Sequence, residues 1–391
     1  MRALLRFAAA MIATIAVVPP AVAAPWIFSG TVQAQLGYGS NPFLVNGLTE
    51  GAGFGSVGFS PSLTQKTARS STTISGSYYR EQYFNRYGHN ETGIVGISRE
   101  QQLTTRLSGT AQANFTDTDN ALLSPGYGSA LIDVLTTGQH TRIYSGALGL
   151  TWQESARDTF GASVNASHAN FSGNRGALIA SSYDQIGGTL SYYHTFSART
   201  QAGLTGTYSH VASDVYPDSS SIQPALALKQ ALSEIWQFNG DIGVILAHVS
   251  GPFGGRSTGL GFHASLCGTY PRRTLCVSAS RQTAPSGIGG LRTDLQGEVT
   301  YSQKLSDRQS ISLSALYSDS RAQSNTQVGS GFINLPRQRF VQARLDYTRD
   351  LTPRLSAGAT ARFQHRDFSS FGRATSVGGS VNLIYRIGHL Q

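Results

Sequence analysis

From Trp26 onward apolar and polar residues alternate with a period of two, and helical periodicity is confined to a few short stretches. In the first such segment Trp26, Phe28, Gly30, Val32, Ala34, Leu36 and Tyr38 share one face, and Ser29, Thr31, Gln33 and Gln35 the other. Successive side chains of a strand point to opposite faces, so each segment reads as a β-strand with one apolar and one wet side. The pattern recurs at 103–115, 160–166, 186–192, 202–208, 236–246, 299–301 and 311–317, then in closing segments beginning at Val341, Leu355 and Val377. The wet face carries Ser, Thr, Gln, Asn and Gly with almost no large apolar groups, so two such sheets could not build a sandwich core. The apolar face has to meet lipid.

The connections narrow the architecture. Short polar turns are read at 65–69, 100–102, 154–158, 197–200, 271–273, 306–308 and 352–354, with another near Ser233. Longer links at 39–51, 85–90, 117–140, 172–182, 212–222, 250–257, 285–290, 319–338 and 366–374 alternate with them. The result is about 18 strands (16–18) in an all-β, transmembrane antiparallel β-barrel, with short periplasmic turns and long outer loops. Aromatic residues on the apolar parity agree: Tyr38, Phe115, Tyr144, Tyr208, Tyr317 and Phe363 stand at loop ends, and Trp26, Trp152, Trp236 and Tyr301 at turn ends. These are the two interfacial girdles of such barrels. No apolar run after residue 24 approaches the roughly 20 residues of a membrane helix. No blade or coil repeat marks a propeller or solenoid.

The first residues read as an address. Arg2 and Arg6 precede a short apolar core, and Ala21-Val22-Ala23 has the small-x-small pattern of a signal-peptidase site. The expected organisation is a signal peptide at 1–23 and an outer-membrane barrel at 24–391, in a Gram-negative cell. In the last strand Ser376, Gly378, Val381, Leu383 and Tyr385 are similar to the signal by which barrel-assembly machinery recognises its clients, although the chain ends at Gln391 rather than on an aromatic residue. Outer-membrane lipid and that machinery are therefore expected partners. An oxidising periplasm also suits Cys267 and Cys276. A two-residue turn at Pro271-Arg272 sets them opposite each other on the inward parity, and a bridge is favoured over two free thiols.

The search for chemistry is mostly negative. There is no phosphate-binding loop, zinc-protease helix, nucleophile elbow or paired C-x-x-C set. The nine His are scattered without metal-ligand spacing, so no metal, cofactor or catalytic residue is assigned. His210 with Ser213 and Asp214, and His365 with Asp367, are the strongest arguments for a surface hydrolase. Neighbours on one extended strand do not converge on a substrate, so both read as rim polar groups. Arg80, Arg86, Arg142, Arg339 and Arg366 near the same rim either pair with lipid phosphates or form a solvated edge. The net charge of +9 comes from arginines spread over many strands, which does not match a nucleic-acid footprint.

The inward parity carries the functional reading. Arg106, Arg292, Arg344, Arg362 and Arg386 face Asp241, Asp294, Glu298 and Asp346 among small hydroxyl and amide groups, which leaves a weakly positive lumen. Such groups do not fill a barrel of 16 to 18 strands, so water does. Leu131, Ile132, Asp133, Val134 and Leu135 are too apolar to stand in solvent and read either as a constriction folded inward or as a loop packed on its neighbours.

The segment Gly37-Tyr38-Gly39-Ser40-Asn41-Pro42-Phe43-Leu44 resembles the Tyr-x-x-Asn-Pro opening of a β-barrel porin family often encoded beside exopolysaccharide or capsule genes. The resemblance implies an outer-membrane barrel that serves polysaccharide export, with an anionic glycan or export proteins as partners. It carries over no functional residue. The expected function is a passive channel. The alternatives are a general diffusion porin for small solutes and a plugged structural component of an envelope machine; a surface hydrolase is a distant third.

Overall fold

The computed structural model describes residues 24–391 except 45, 48–49, 86, 120–138, 174–180, 252–253, 287–289, 323–325, 329–330, 334–336, 369–371 and 389–391. The signal segment 1–23, the segment 131–135 and Arg86 lie outside the described residues. The strands are β1 (Trp26–Gly39), β2 (Ala52–Lys66), β3 (Ser70–Tyr83), β4 (His89–Gln102), β5 (Leu107–Thr118), β6 (Gln139–Gln153) and β7 (Asp158–Gly173). Then come β8 (Tyr183–Ser197), β9 (Thr200–Ser213), β10 (Ser219–Ala231), β11 (Trp236–Val249), β12 (Gly255–Thr269), β13 (Arg273–Ser286) and β14 (Gly290–Ser306). The series ends with β15 (Gln309–Ala322), β16 (Thr326–Val328), β17 (Gly331–Ile333), β18 (Gln338–Asp350), β19 (Leu355–Phe368) and β20 (Gly372–Gly388). Eighteen of them form one antiparallel sheet, and β16 and β17 pair only with each other.

Pairing of β1 with β20, from Ser29↔Gly388 to Gly39↔Gly378, closes the sheet into a barrel. The alternation expected from sequence holds along the wall. Leu36, Tyr38, Val57, Leu190, Leu204, Leu226, Ile242 and Val381 are all exposed on the outer face, where lipid replaces water. Ring pairs reinforce the girdles. The ring centroids of Phe115 and Tyr144 lie 4.9 Å apart near the outer end, and Trp152 stacks on Phe160 at 5.5 Å near the turn end.

A repeated device builds the short turns. The hydroxyls of Thr67, Thr104, Ser155, Ser233 and Thr352 each accept the backbone N–H three residues on, at 2.9–3.0 Å. Such a hydroxyl mimics a backbone turn and starts the return strand without a long loop. One turn differs from its sequence reading: β4 runs on to Gln102, and residues 103–106 form the turn in place of 100–102. Leu103 continues the alternating pattern but bonds Leu107 O from its own N–H, so the turn cap decides the boundary over periodicity.

The packed core of this barrel sits at its outer end. Inward-parity residues there are buried on nearly every strand, including Phe54, Glu81, Thr92, Thr118, Ala169, Val211, Ser221, Ala247, Ser320, Phe340, Gln364 and Ala374. Closer to the turns the inner wall is polar and largely open, with Ser108, Thr110 and Gln112 of β5 exposed.

Candidate functional site: the lumen and its outer mouth

The inner wall is laid down by the polar parity of each strand, and its clearest feature lies on β18 and β19. Arg344 and Arg362 are direct register partners, with Asp346↔Thr360 and Gln342↔Gln364 beside them. Arg344 grips Asp346 in a fork, Nε to Oδ2 at 2.7 Å and Nη2 to Oδ1 at 2.8 Å. Thr360 Oγ1 donates to the same carboxylate at 2.6 Å. No carboxylate among the described residues is hydrogen-bonded to Arg362, so Arg344 is ion-paired and Arg362 is not, with Glu81 of β3 in the same recess. A recess of about 410 Å³ opens there, bounded by Gln35, Tyr79, Glu81, Arg344 and Arg362. Its far side is a chain of hydrogen bonds: Tyr79 Oη to Ser56 Oγ at 2.7 Å and to Gln35 Oε1 at 3.2 Å, then Gln35 Nε2 to Ser380 Oγ at 2.6 Å.

The other lumen residues read from sequence are dispersed. Arg292 and Asp294 are buried near the outer end of β14, bonded to Ser320 Oγ at 3.0 Å and by Ser318 Oγ at 2.8 Å respectively. Asp241 stands 3.8 Å from His263, and Glu298 is exposed on β14. Arg386 binds Asp350 at 2.9 Å by the turn end. Arg106 is a correction: it lies in the turn at 103–106 and donates to Glu154 O at 3.2 Å, because β5 begins only at Leu107. Sequence reading overlooked Glu81 and Lys229, which the alternation on β3 and β10 places inward, the latter over the Tyr193 ring at 4.2 Å. With these two added and Arg106 removed, the named residues give five cations against five carboxylates, and the Arg344–Arg362 pair is where two cations stand together with only one of them in an ion pair.

The mouth is narrowed by two elements that alternation did not reveal. In the link after β1, Phe43 and Leu44 turn inward. Leu44 is fully buried against Phe340 and Ala374, with Leu316 beside it, and Phe43 packs with Ala52, Phe54 and Tyr83. The segment is tied down by Ser40 N to Val377 O at 2.9 Å, Val377 N to Ser40 Oγ at 2.9 Å, and Arg366 Nη2 to Leu44 O at 2.6 Å. On the other side the outer half of β13 parts from β12, while β14 stays paired with β15 as far as Arg292↔Ala322. Pairing of β12 with β13 stops at Phe262↔Arg281, although β12 stays on β11 as far as Gly255 and β13 stays on β14 as far as Ser286. Leu291 of β14 is buried among Ala169, Val211 and Tyr183, on the inner faces of β7, β9 and β8. Thr283 Oγ1 meets Ser221 Oγ of β10 at 2.9 Å. Below the fork, Cys267 and Cys276 are register partners joined by a disulfide.

The hydrolase candidates do not assemble. His210 and Ser213 have opposite parity on β9, and Ser213 Oγ is turned to Ser181 Oγ at 3.1 Å. His365 Nδ1 meets Thr375 Oγ1 at 2.8 Å, while Asp367 pairs with Arg373. At the rim Arg80 pairs with Glu91 and Arg142 with Asp117, both at 3.1 Å, so protein carboxylates engage these two arginines.

No protein-family profile and no curated protein sequence matches the chain. Among solved structures it is similar to a BenF-like porin from Pseudomonas fluorescens Pf-5, at 9% identity over 94% of this chain and 100% of that one, with a TM-score of 0.50. OccK2 (OpdF) of Pseudomonas aeruginosa aligns at 12% identity over 94% and 98%, with a TM-score of 0.47. At such identity the likeness is one of fold. Together with the closed wall and the apolar exterior, it makes the chain an outer-membrane β-barrel of porin architecture.

Proposed function

We propose that this barrel is a passive, water-filled channel with a mild preference for anions. The observation that carries the reading is the polar inner wall on which Arg344 and Arg362 stand side by side with only Arg344 in an ion pair. Charged groups lining a pore bias which ion enters. In planar bilayers under a salt gradient the reversal potential should show anion preference, sharper at low salt, because screening acts within about 10 Å at 0.1 M. Replacing both residues (Arg344→Gln with Arg362→Gln) should abolish that preference while leaving heat-modifiable gel migration unchanged. Cation selectivity in the unaltered channel would remove the argument.

The finer reading is conduction of an anionic glycan alongside polysaccharide-export proteins. It rests on the resemblance at 37–44 and on Arg362, which has no hydrogen bond to a described carboxylate. An acidic oligosaccharide should block the current at lower concentration than a neutral one of equal length; equal block would leave a general diffusion porin. One observation favours a second reading, a plugged structural component of the envelope: the buried layer at the outer end. Barrels that insert but pass no current at any voltage would decide for it. Catalysis has no support in the geometry of the described His, Ser and Asp residues.

A further inference from the structure

The basic residues of the outer rim divide by sector. On the lipid-facing parity most of them meet a carboxylate. Arg80 pairs with Glu91 at 3.1 Å, His140 and Arg142 with Asp117 at 2.8 and 3.1 Å, and His168 with Asp184 at 2.9 Å. Arg339 stands in register between Asp319 and Asp367. The sector from β9 to β12 departs from this arrangement. His210, Ser220, His248 and Arg256 are successive register partners across its four strands: His210↔Ser220, Ser220↔His248 and His248↔Arg256. Among the described residues, none of the three basic side chains is in an ion pair with a carboxylate.

The row lies on the outside of the wall, at the top of an apolar surface. One lipid-facing step below it Tyr208, Ile222 and Leu246 are register partners and exposed, and a step further down come Val244 and Leu260. Neighbouring strands are about 4.8 Å apart, so the backbones of His210 and His248 stand about 10 Å apart with only the short Ser220 side chain between them. That gap admits one tetrahedral oxyanion, with an imidazole on either flank, a hydroxyl beneath it and Arg256 one strand beyond. His248 and Arg256 are exposed and His210 is half-buried. By register the nearest carboxylates are Asp184 of β8, which is taken by His168, and Asp218, which precedes β10. Neither forms an ion pair with the row.

We propose that this four-strand row is a binding site for a phosphate-bearing lipid of the outer leaflet. The phosphate sits over Ser220 and accepts hydrogen bonds from His210, His248 and Arg256, while the acyl chains lie along the surface of Tyr208, Ile222 and Leu246. Bonds from cationic donors to phosphate are among the stronger ones a protein makes. Elsewhere on the rim a protein carboxylate already holds the place that the phosphate takes here. An imidazole gains charge as pH falls from 8 to 5, so two of the three donors strengthen on the acid side and lipid retention rises with them. The site is on the outer surface and is independent of whether the barrel conducts.

The test titrates the folded barrel in detergent with dioleoyl phosphatidylglycerol, whose charge is constant from pH 6 to pH 8, or with dioleoyl phosphatidylcholine. Bound lipids are counted by native mass spectrometry at both pH values. The unaltered protein should retain the anionic lipid several-fold more than the zwitterionic one at pH 6, with a smaller margin at pH 8. His210→Gln with His248→Gln should remove the margin and its pH dependence. Arg256→Gln should lower the margin at both pH values and keep the pH dependence. His168→Gln, whose ring serves Asp184, should change nothing. Heat-modifiable gel migration checks folding, and His248→Gln alone, at an exposed position, should give a partial loss if the double variant does not fold. Equal retention of the two lipids by the unaltered protein, or a margin that survives the histidine variants, would overturn the proposal. So would complete displacement of the lipid by millimolar inorganic phosphate, which would assign the row to a free anion.

Discussion

The link after β1 and the β13–β14 hairpin both fill the outer mouth, but they are held in different ways. The 40–44 segment is bound through its backbone on both flanks, and Arg366 caps the Leu44 carbonyl. Its two large side chains enter separate apolar clusters, one on β15, β18 and β20 and the other on β2 and β3. Leu44 even adopts a left-handed φ of 50°, a conformation that a non-glycine residue keeps only where its surroundings enforce it. The outer end of β13 and β14 keeps its internal ladder and the β14–β15 ladder as far as Arg292↔Ala322, and it meets the opposite wall through Leu291 and the Thr283–Ser221 hydroxyl pair. Burying a leucine contributes about 1.5–3 kcal/mol and a neutral hydrogen bond about 0.5–1.5 kcal/mol. The first element depends on its own local ties, whereas the second is carried by a continuous ladder and adds side-chain contacts across the mouth.

Substitutions can break or sharpen this contrast. The largest effect is expected from Leu44→Ala, which empties a site with no solvent exposure and should cost about 2–5 kcal/mol of barrel stability in lipid refolding. Leu291→Ala removes an equally buried leucine, but the strand that carries it stays held by the β14–β15 ladder, so it should cost less stability and raise conductance more. Equal losses in both variants would erase the distinction. Next comes Arg366→Gln, which removes a charge-assisted bond to Leu44 O and should cost about 1.5–3 kcal/mol, with the loosening confined to the 40–44 side by hydrogen exchange. Replacing both Cys267 and Cys276 by Ser opens a short loop and should cost about 2 kcal/mol in the chain-entropy model. Faster hydrogen exchange should spread down β12 and β13 from the fork and leave the 40–44 segment untouched. The smallest effect belongs to Ser221→Ala, which removes one hydroxyl contact across the mouth and should cost about 0.5–1.5 kcal/mol in lipid refolding.

Most of the wall was legible in the sequence because its determinants are local. A period of two places Leu36 toward lipid and Gln35 toward the lumen whatever the neighbouring strand is, and a hydroxyl such as that of Thr67 ends a strand within four residues. The same locality explains the misplaced Arg106: Leu103 and Thr105 continue the alternation, and only the Thr104 cap shows that the chain has already turned. Glu81 was equally legible from its parity with Tyr79 and Tyr83. The Arg344–Arg362 pair needed the β18–β19 register, which depends on where a distant turn closes.

The sequence by itself determined an antiparallel barrel of 16–18 strands, the face of most strand residues and the asymmetry of turns and links, since each follows from backbone geometry over a few residues. Only the tertiary structure decided what each face meets. Leu291 has the parity of a lipid-facing residue and meets protein, and Phe43 and Leu44 sit in a polar-looking link and carry part of the packed layer. Alternation records that a side chain must leave water. It is silent on whether bilayer, loop or opposite wall takes it in, because each removes the same apolar area from solvent.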